Sequence, residues 1–282
     1  MSGTLYVVAT PIGNLEDITL RALRVLREVD VIAAEDTRRT ARLLSHHGIS
    51  TPTLSFHEHN TRSRVPQLIS RLEAGERVAI VTDAGTPGVS DPGLELVQAA
   101  IDRKIIVDPI PGASAPLTAL IASGFEMVPF TVLGFPPSRA KARSTWLQDA
   151  AKIPHAFSFF EAPHRIQATL GESADLFGER PIILARELTK VHQEFLRGTA
   201  SELSRCLSSP RGEFTIIVGP VSKVFESNEI QLNDTDVVRE FWRIAESGGG
   251  SRRQIVTELA KRSGRSAKDV YSAIEQAKKL VT

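Results

Sequence analysis

The first 125 residues alternate between short apolar runs and segments with helical periodicity, and this alternation constrains the fold more than any other feature. Residues 4–10 form an apolar run of strand length, whereas residues 19–29 place leucines at helical spacing. The alternation continues through predicted strands at 31–34, 52–56, 78–82 and 105–110 and predicted helices at 39–47, 62–74 and 92–101. Such an order predicts a mostly parallel sheet covered by helices.

A second α/β segment follows, and a helical segment ends the chain. The predicted strands of the second segment lie at 130–135, 155–160, 181–185 and 214–218, and its predicted helix lies at 138–151. Three short helices are predicted after it, at 237–245, 252–261 and 267–278. We therefore predict two α/β domains, a linker and a small helix-turn-helix-like module, with bounds 1–125, 126–220, 221–234 and 235–282.

The composition is that of a soluble globular protein, with 41% hydrophobic and 24% charged residues. No apolar run reaches the roughly 18 residues that a membrane-spanning helix needs, and the first residues lack the pattern of a secretory signal. Cys206 is the only cysteine, which excludes an internal disulfide and a multi-cysteine zinc site. We expect a cytoplasmic protein that binds neither a membrane nor a metal ion.

Positive charge is concentrated at the end of the chain. Residues 235–282 contain ten lysine or arginine residues and six aspartate or glutamate residues, a balance of +4, although the whole chain carries only +1. This distribution indicates a polyanionic partner held partly by the helical module. A solvated module without a ligand would have the same composition, and both interpretations stay open.

Three loops rich in glycine and proline follow predicted strands, at residues 10–15, 82–93 and 109–115. Ligands of open α/β sheets bind outside the carboxyl ends of the strands, so three such loops favour a shared pocket. The loops contain no lysine or arginine, and the chain lacks the common glycine-rich phosphate-binding motifs. They offer Asp83, Ser114 and backbone groups instead, which suit a cationic ligand with an uncharged ribose, such as S-adenosylmethionine.

Seven motifs, in this order, resemble the tetrapyrrole-methylase superfamily. Four lie in the first half of the chain: ATPIGNL at 9–15, EDTR at 35–38, DAGTP through SDPG at 83–93, and PGASA at 111–115. The remaining three, FEAPHR at 160–165, ARELTK at 185–190 and GEF at 212–214, resemble the branch that methylates ribosomal RNA. The resemblance covers residues 4–220, and the tail resembles the small helical domain of that branch.

This resemblance implies two α/β domains with S-adenosylmethionine in the cleft between them, and a homodimer. It further implies 2′-O-methylation of a decoding-centre cytidine in 16S rRNA, either free or within the 30S ribosomal subunit. Carried over position by position, the donor-binding residues are Pro11, Asp83, Ala84, Gly85, Ser114, Ala115, Phe160, Glu161, Ala185, Arg186, Glu213 and Thr215.

A ribose hydroxyl is a poor nucleophile until its proton is removed or shared, so a base is expected near the donor. The catalytic candidates are Lys190, Glu161 and Glu187. Lys190 could act as a base if burial or a neighbouring arginine lowers its pKa. Alternatively, Lys190 and Glu187 are three residues apart and could form a structural ion pair. The sequence leaves both interpretations open.

Basic side chains near the loops and in the tail are candidates for contacts with RNA phosphates. The group consists of Arg38, Arg139, Arg143, Arg165, Arg252, Arg253 and Lys268, with Arg39 and Arg42 on the predicted helix that follows Arg38. Each could equally belong to a solvated face.

Two other functions compete with RNA methylation. The first is methylation of a corrin or porphyrin precursor on the same fold. The second is a non-enzymatic regulator that binds nucleic acid through its terminal helices, which the long ligand-binding body disfavours.

Overall fold

The computed structural model describes residues 2–88, 93–207, 210–221, 234–246, 251–263 and 266–279. The chain divides into two compact units, residues 1–221 and residues 222–282. Across the described residues, no helix combines the length and the apolar character that crossing a bilayer requires.

The first sheet of the larger unit is parallel throughout. Its five strands are β1 (Thr4–Val8), β2 (Val31–Ala34), β3 (Thr53–Ser55), β4 (Val78–Val81) and β5 (Ile106–Ile110), in the order β3-β2-β4-β1-β5. Every residue of β2 and β4 is buried, as expected for strands covered by helices on both faces. The predicted parallel sheet is therefore confirmed.

Four helices connect these strands, α1 (Leu20–Glu28), α2 (Thr37–His46), α3 (Thr61–Glu73) and α4 (Leu94–Asp102), and α5 (Ala115–Ile121) follows β5. Side-chain caps fix where the first two begin. The Thr19 hydroxyl accepts a hydrogen bond from the Ala22 N–H at 3.1 Å, and the Asp36 carboxylate accepts one from the Arg38 N–H at 2.8 Å. Because α2 follows β2 directly, its first turn lies at the carboxyl edge of the sheet.

The second sheet is mixed rather than parallel. Its strands are β6 (Phe130–Val132), β7 (Ala156–Glu161), β8 (Ile182–Arg186), β9 (Glu194–Gly198) and β10 (Phe214–Val218), in the order β6-β7-β10-β8-β9. Only β6 and β7 pair in parallel. Helices α6 (Ala140–Ala151), α7 (Ile166–Phe177) and α8 (Ala200–Cys206) accompany this sheet, and β9, α7 and α8 are elements that the sequence analysis does not predict. The domain boundary at residue 125 stays a prediction, since both sheets belong to one compact unit.

The smaller unit contains the three predicted helices, α9 (Asp234–Glu246), α10 (Arg252–Ser263) and α11 (Ala267–Lys279). Buried side chains from all three form its core, among them Phe241, Leu259 and Ile274. The first helix begins at Asp234, so the predicted linker is one residue too long at that end. The rest of that linker, apart from Val221, lies outside the described residues.

Candidate active site

A cavity of about 350 Å³ lies where the loops of the two sheets meet. Loops that follow β1, β2, β4 and β5 form one side of it, and residues at β6, β7, β8 and β10 form the other. Its volume falls within the range of small-molecule sites. The four loops of the first sheet converge because parallel strands present all their carboxyl ends at one edge.

Nine of the twelve predicted donor-binding residues line this cavity: Asp83, Ala84, Gly85, Ser114, Ala115, Phe160, Glu161, Glu213 and Thr215. Pro11, Ala185 and Arg186 do not. Arg186 instead forms an ion pair with Glu194 at 2.7 Å across the β8–β9 pair. The cavity therefore gathers most of the predicted set, while the role of each residue stays a prediction.

The lining also contains residues that the sequence analysis does not assign to the donor site, notably Ile12, Glu35, Arg39, Phe135 and Leu188. Ile12, Glu35 and Leu188 all lie inside the quoted motifs, so the motifs could have predicted that these three residues line the cavity. Phe135 had no such signal, because the apolar segment around it predicts only a strand.

A pair of backbone hydrogen bonds fixes the wall formed by the β1 and β4 loops. The Thr10 N–H donates to the Gly85 carbonyl at 2.9 Å, and the Gly85 N–H donates to the Thr10 carbonyl at 3.0 Å. Gly85 has φ +86°, a conformation that side-chain-bearing residues rarely adopt. This glycine therefore lets the two loops meet at the cavity.

The described lining is acidic. Glu35, Asp83, Glu161 and Glu213 contribute four carboxylates, and Arg39 contributes the one cationic side chain among the described lining residues, which leaves a formal charge of −3. Asp83 is held in place, since its carboxylate accepts the Asp36 N–H at 3.0 Å and lies 3.4 Å from Arg39 Nη1. Such a lining attracts cationic ligands.

Glu161 is fully buried, and all its partners are polar. Its carboxylate accepts hydrogen bonds from the Thr169 hydroxyl at 2.6 Å and the Ala162 N–H at 2.8 Å, and it forms an ion pair with Arg165 Nε at 3.1 Å. Arg165 also donates to the Pro136 carbonyl at 2.7 Å. These contacts favour a structural role for Glu161 in the cavity wall, and its catalytic role stays a prediction. They also occupy the guanidinium of Arg165, which the sequence analysis assigned to RNA.

Lys190 lies between two carboxylates, with Nζ 3.0 Å from Glu187 Oε1 and 3.0 Å from Glu213 Oε2. Burial lowers the pKa of Lys190, but the two carboxylates more than offset it, and the pKa stands above its usual value. Burial likewise raises the pKa of Glu187, while the Glu213 N–H and Lys190 bring it below its usual value. The lowered pKa that a lysine base requires is therefore absent, and the structure supports the ion-pair interpretation.

The segment between β8 and β9 is bent sharply against the first sheet. Glu187 and Thr189 have φ of +51° and +63°, unusual for residues other than glycine. The Thr189 hydroxyl accepts the Asn14 N–H at 2.9 Å. A Cβ added to Gly13 would lie 2.6 Å from the Leu188 carbonyl oxygen, so this contact requires glycine.

The other predicted RNA-binding residues differ in exposure. Arg38, Arg139, Arg253 and Lys268 are exposed. The Arg143 side chain is only 10% exposed, and its Nε donates to Glu172 at 3.0 Å. This ion pair anchors α6 to α7 and leaves little of Arg143 open to a partner, so the geometry does not favour a contact with RNA, which stays a prediction. Arg252 is paired with Glu275 and lies 4.8 Å from the centre of the Tyr271 ring, so it joins helices of the small unit.

No group of three or more histidine, cysteine, aspartate or glutamate side chains in the described parts of the chain is arranged to hold a metal ion.

Comparison with known proteins identifies the family. Residues 4–204 match the family described as Tetrapyrrole (Corrin/Porphyrin) Methylases. A ribosomal RNA small subunit methyltransferase I from Halalkalibacterium halodurans is 42% identical over 276 residues, which cover 97% of this chain and 95% of that protein. A protein of the same name from Micromonospora olivasterospora is 50% identical over 220 residues, covering 77% and 70% of the two chains.

Among solved structures, uroporphyrin-III C-methyl transferase from Thermus thermophilus, complexed with S-adenyl homocysteine, aligns with a TM-score of 0.55. The alignment covers 79% of this chain and 100% of that chain, at 20% identity, and shows a shared fold. The fold, the family match and the relatives agree with the resemblance read from the seven motifs. The chain belongs to the tetrapyrrole (corrin/porphyrin) methylase family, in the group of the ribosomal RNA small subunit methyltransferase I proteins.

Proposed function

We propose that this protein transfers a methyl group from S-adenosylmethionine to the ribose 2′-hydroxyl of a decoding-centre cytidine in 16S rRNA. The observation that carries the proposal is the acidic cavity, which residues of the family motifs line. A ribosomal RNA small subunit methyltransferase I matches this chain over nearly its whole length, which supports the same reaction. We further propose that it acts in the cytoplasm, where ribosomal subunits are assembled, as a homodimer that sedimentation measurements can test.

The cavity fits the methyl donor chemically. Its acidic lining suits a sulfonium, and Asp83, Ser114, Glu213 and Thr215 offer the hydrogen-bonding groups that the amino-acid and ribose portions of the donor need. Phe160 adds an aromatic surface for the adenine ring. When bound, the donor supplies an electrophilic methyl group.

The side chains of the protein contribute to the rate mainly by positioning the substrate hydroxyl in line with the methyl group. Holding a hydroxyl in line with an electrophile can supply a large part of the rate enhancement, provided that the geometry is fixed in advance. The buried network of Glu161 and the close contact of Gly13 with the β8–β9 segment fix the wall in this way.

We assign two chemical roles to Lys190 and Glu213: electrostatic stabilisation of the substrate oxygen and acceptance of the proton that the hydroxyl loses. Lys190 lies behind the lining residue Glu213, with Nζ 3.0 Å from Glu213 Oε2, and from there its positive charge favours negative charge on the substrate oxygen. The Glu213 side chain is 71% exposed and lines the cavity, so it is the lining carboxylate with most room to accept the proton. Because the Glu213 carboxylate is also paired with Lys190 at 3.0 Å, positioning remains the larger contribution.

The test uses a labelled methyl donor with 30S subunits, free 16S rRNA and uroporphyrinogen-type tetrapyrroles in parallel. We expect label on one cytidine ribose of the small-subunit RNA, located by mass spectrometry of nuclease fragments and by the resistance of the adjacent phosphodiester to alkali. A Ser114→Trp variant, which fills the cavity, serves as the control that should bind no donor. Transfer to a tetrapyrrole, or to no substrate while the donor binds, would overturn the proposal.

A further inference from the structure

We propose that Phe135 and Arg39 form a nucleotide subsite on the rim of the cavity, in which Phe135 stacks on a base and Arg39 binds a phosphate. This inference rests on the proposed function and specifies how the RNA would enter the site. Neither residue belongs to the donor-binding set that the family resemblance implies, yet both line the cavity.

Phe135 is an aromatic residue in an unusual place. Phe135 is 57% exposed, whereas Phe157 and Phe159 of β7 and Phe214 of β10 are buried in the core of the second sheet. Its ring centroid lies 5.1 Å from that of Phe160, which supports it from behind at an interplanar angle of 39°. A rigidly supported ring with one open face is the arrangement on which single-stranded bases stack.

Arg39 is the matching cation. Its side chain is 59% exposed, and its nearest carboxylate, Asp83, is 3.4 Å away. By contrast, the guanidinium groups of Arg143 and Arg165 are largely buried and make shorter contacts with carboxylates. Arg39 therefore keeps donors free for a phosphate oxygen.

The charge of the lining separates the two ligands. The carboxylates favour the sulfonium of the donor, whereas they repel an RNA phosphate, which therefore needs a cation such as Arg39. The position of Arg39 at the first turn of α2 thus indicates the side of the cavity along which the phosphate backbone of the RNA passes. An unstacked base of single-stranded RNA would then occupy the side of Phe135, because RNA-binding sites stack such bases on aromatic side chains.

The test compares the variants Phe135→Ala, Phe135→Leu, Phe135→Tyr and Arg39→Gln with the wild type, using 30S subunits or the RNA form that the wild type methylates. We expect kcat/KM for RNA to fall about 5- to 150-fold in Phe135→Ala and Phe135→Leu, the range of base–aromatic stacking, and to be retained in Phe135→Tyr. Arg39→Gln should raise KM for RNA and reduce the salt dependence of RNA binding by about one phosphate contact. Donor affinity, measured by calorimetry without RNA, should change less than twofold in all four.

Arg103→Gln is the matched control, since Arg103 is likewise an exposed arginine with a carboxylate 3.3 Å away, and it does not line the cavity. Phe135→Leu keeps an apolar contact with Phe160, so it separates stacking from folding. Unchanged kcat/KM in Phe135→Leu and Arg39→Gln would overturn the subsite while leaving the proposed function intact. A parallel loss of donor affinity would assign these residues to the donor and also overturn it. A wild type that methylates no RNA would remove the proposed function itself, and the subsite with it.

Discussion

Mutation of Glu161 can distinguish a structural role from a catalytic one, because the two roles predict different changes in stability and turnover. Replacing it with alanine removes the carboxylate from a side chain that is 0% exposed. Arg165 then loses its anionic partner, and the buried Thr169 hydroxyl loses its acceptor. Breaking a buried ion pair from one side costs about 3–5 kcal/mol. The carbonyls of Pro136 and Pro137 still accept hydrogen bonds from Arg165, so we expect the lower end, about 3 kcal/mol.

For a unit of 221 residues, that loss corresponds to a decrease of roughly 6–12 °C in the unfolding midpoint. The chain contains two tryptophans, Trp146 in the large unit and Trp242 in the small one. In a Trp242→Phe background, fluorescence therefore reports on the large unit alone. Trp146 is a sensitive probe, because its ring packs 5.5 Å from Phe159, two residues from Glu161.

The control is Glu28→Ala, which removes the partner of Arg24 in an exposed ion pair on α1 and should barely change the midpoint. Glu161→Gln keeps one acceptor oxygen and should lie between wild type and Glu161→Ala. If Glu161→Ala kept the wild-type midpoint but lost turnover, the structural role argued from these contacts would be refuted, and Glu161 would return as a catalytic residue.

Three further predictions test other parts of the structure. Gly13→Ala should lower turnover at least tenfold and donor affinity by a smaller factor, because the new Cβ pushes the β8–β9 segment away from the cavity. A single-turnover assay measures the first effect, and calorimetry with the donor alone measures the second. Arg180→Met should destabilise the large unit by about 3 kcal/mol in urea unfolding, since the buried guanidinium donates to the carbonyls of Gly219, Ile153 and His155; a loss below 1 kcal/mol would contradict this role. Because burial lowers the pKa of Lys190 less than the two carboxylates raise it, the folded-state pKa lies above its ordinary value and the charge is retained wherever an unperturbed lysine is charged; the rate between pH 6 and 9 should show no titration that Lys190→Met abolishes.

The first sheet could be predicted well because its signals are local. Runs of buried residues mark β2 and β4, and capping residues mark where α1 and α2 begin. The elements that were missed depend on distant partners. Helix α7 contains Gly171 in its middle, which weakens a helix by about 1 kcal/mol relative to alanine. A Cβ at Gly171 would lie 3.7 Å from the Ser204 hydroxyl of α8, so the helix is stabilised by packing rather than by its own sequence.

The candidate site shows the same division. The motif residues converge because strand ends converge, and a sequence pattern contains that information. By contrast, a sequence pattern does not indicate whether a particular arginine is buried. Arg143 is charged and lies in a polar segment, and its burial depends on an ion pair with Glu172, 29 positions away. Phe135 is the opposite case, an apolar residue that looks like core and is left open at the rim.

The segment between β8 and β9 explains why the site needs both sheets. Positive φ at Glu187 and Thr189 costs of the order of 1–3 kcal/mol each, so an isolated segment would relax. Hydrogen bonds hold it: the Glu187 carboxylate accepts the Glu213 N–H at 2.9 Å, and the Thr189 hydroxyl accepts the N–H of Asn14 from the first sheet's loop. Lys190 is therefore placed by contacts from β10 on one side and from the β1 loop on the other. The charge that we assign to catalysis is thus in position only when the two sheets are packed together, which couples formation of the cavity to folding of the whole large unit.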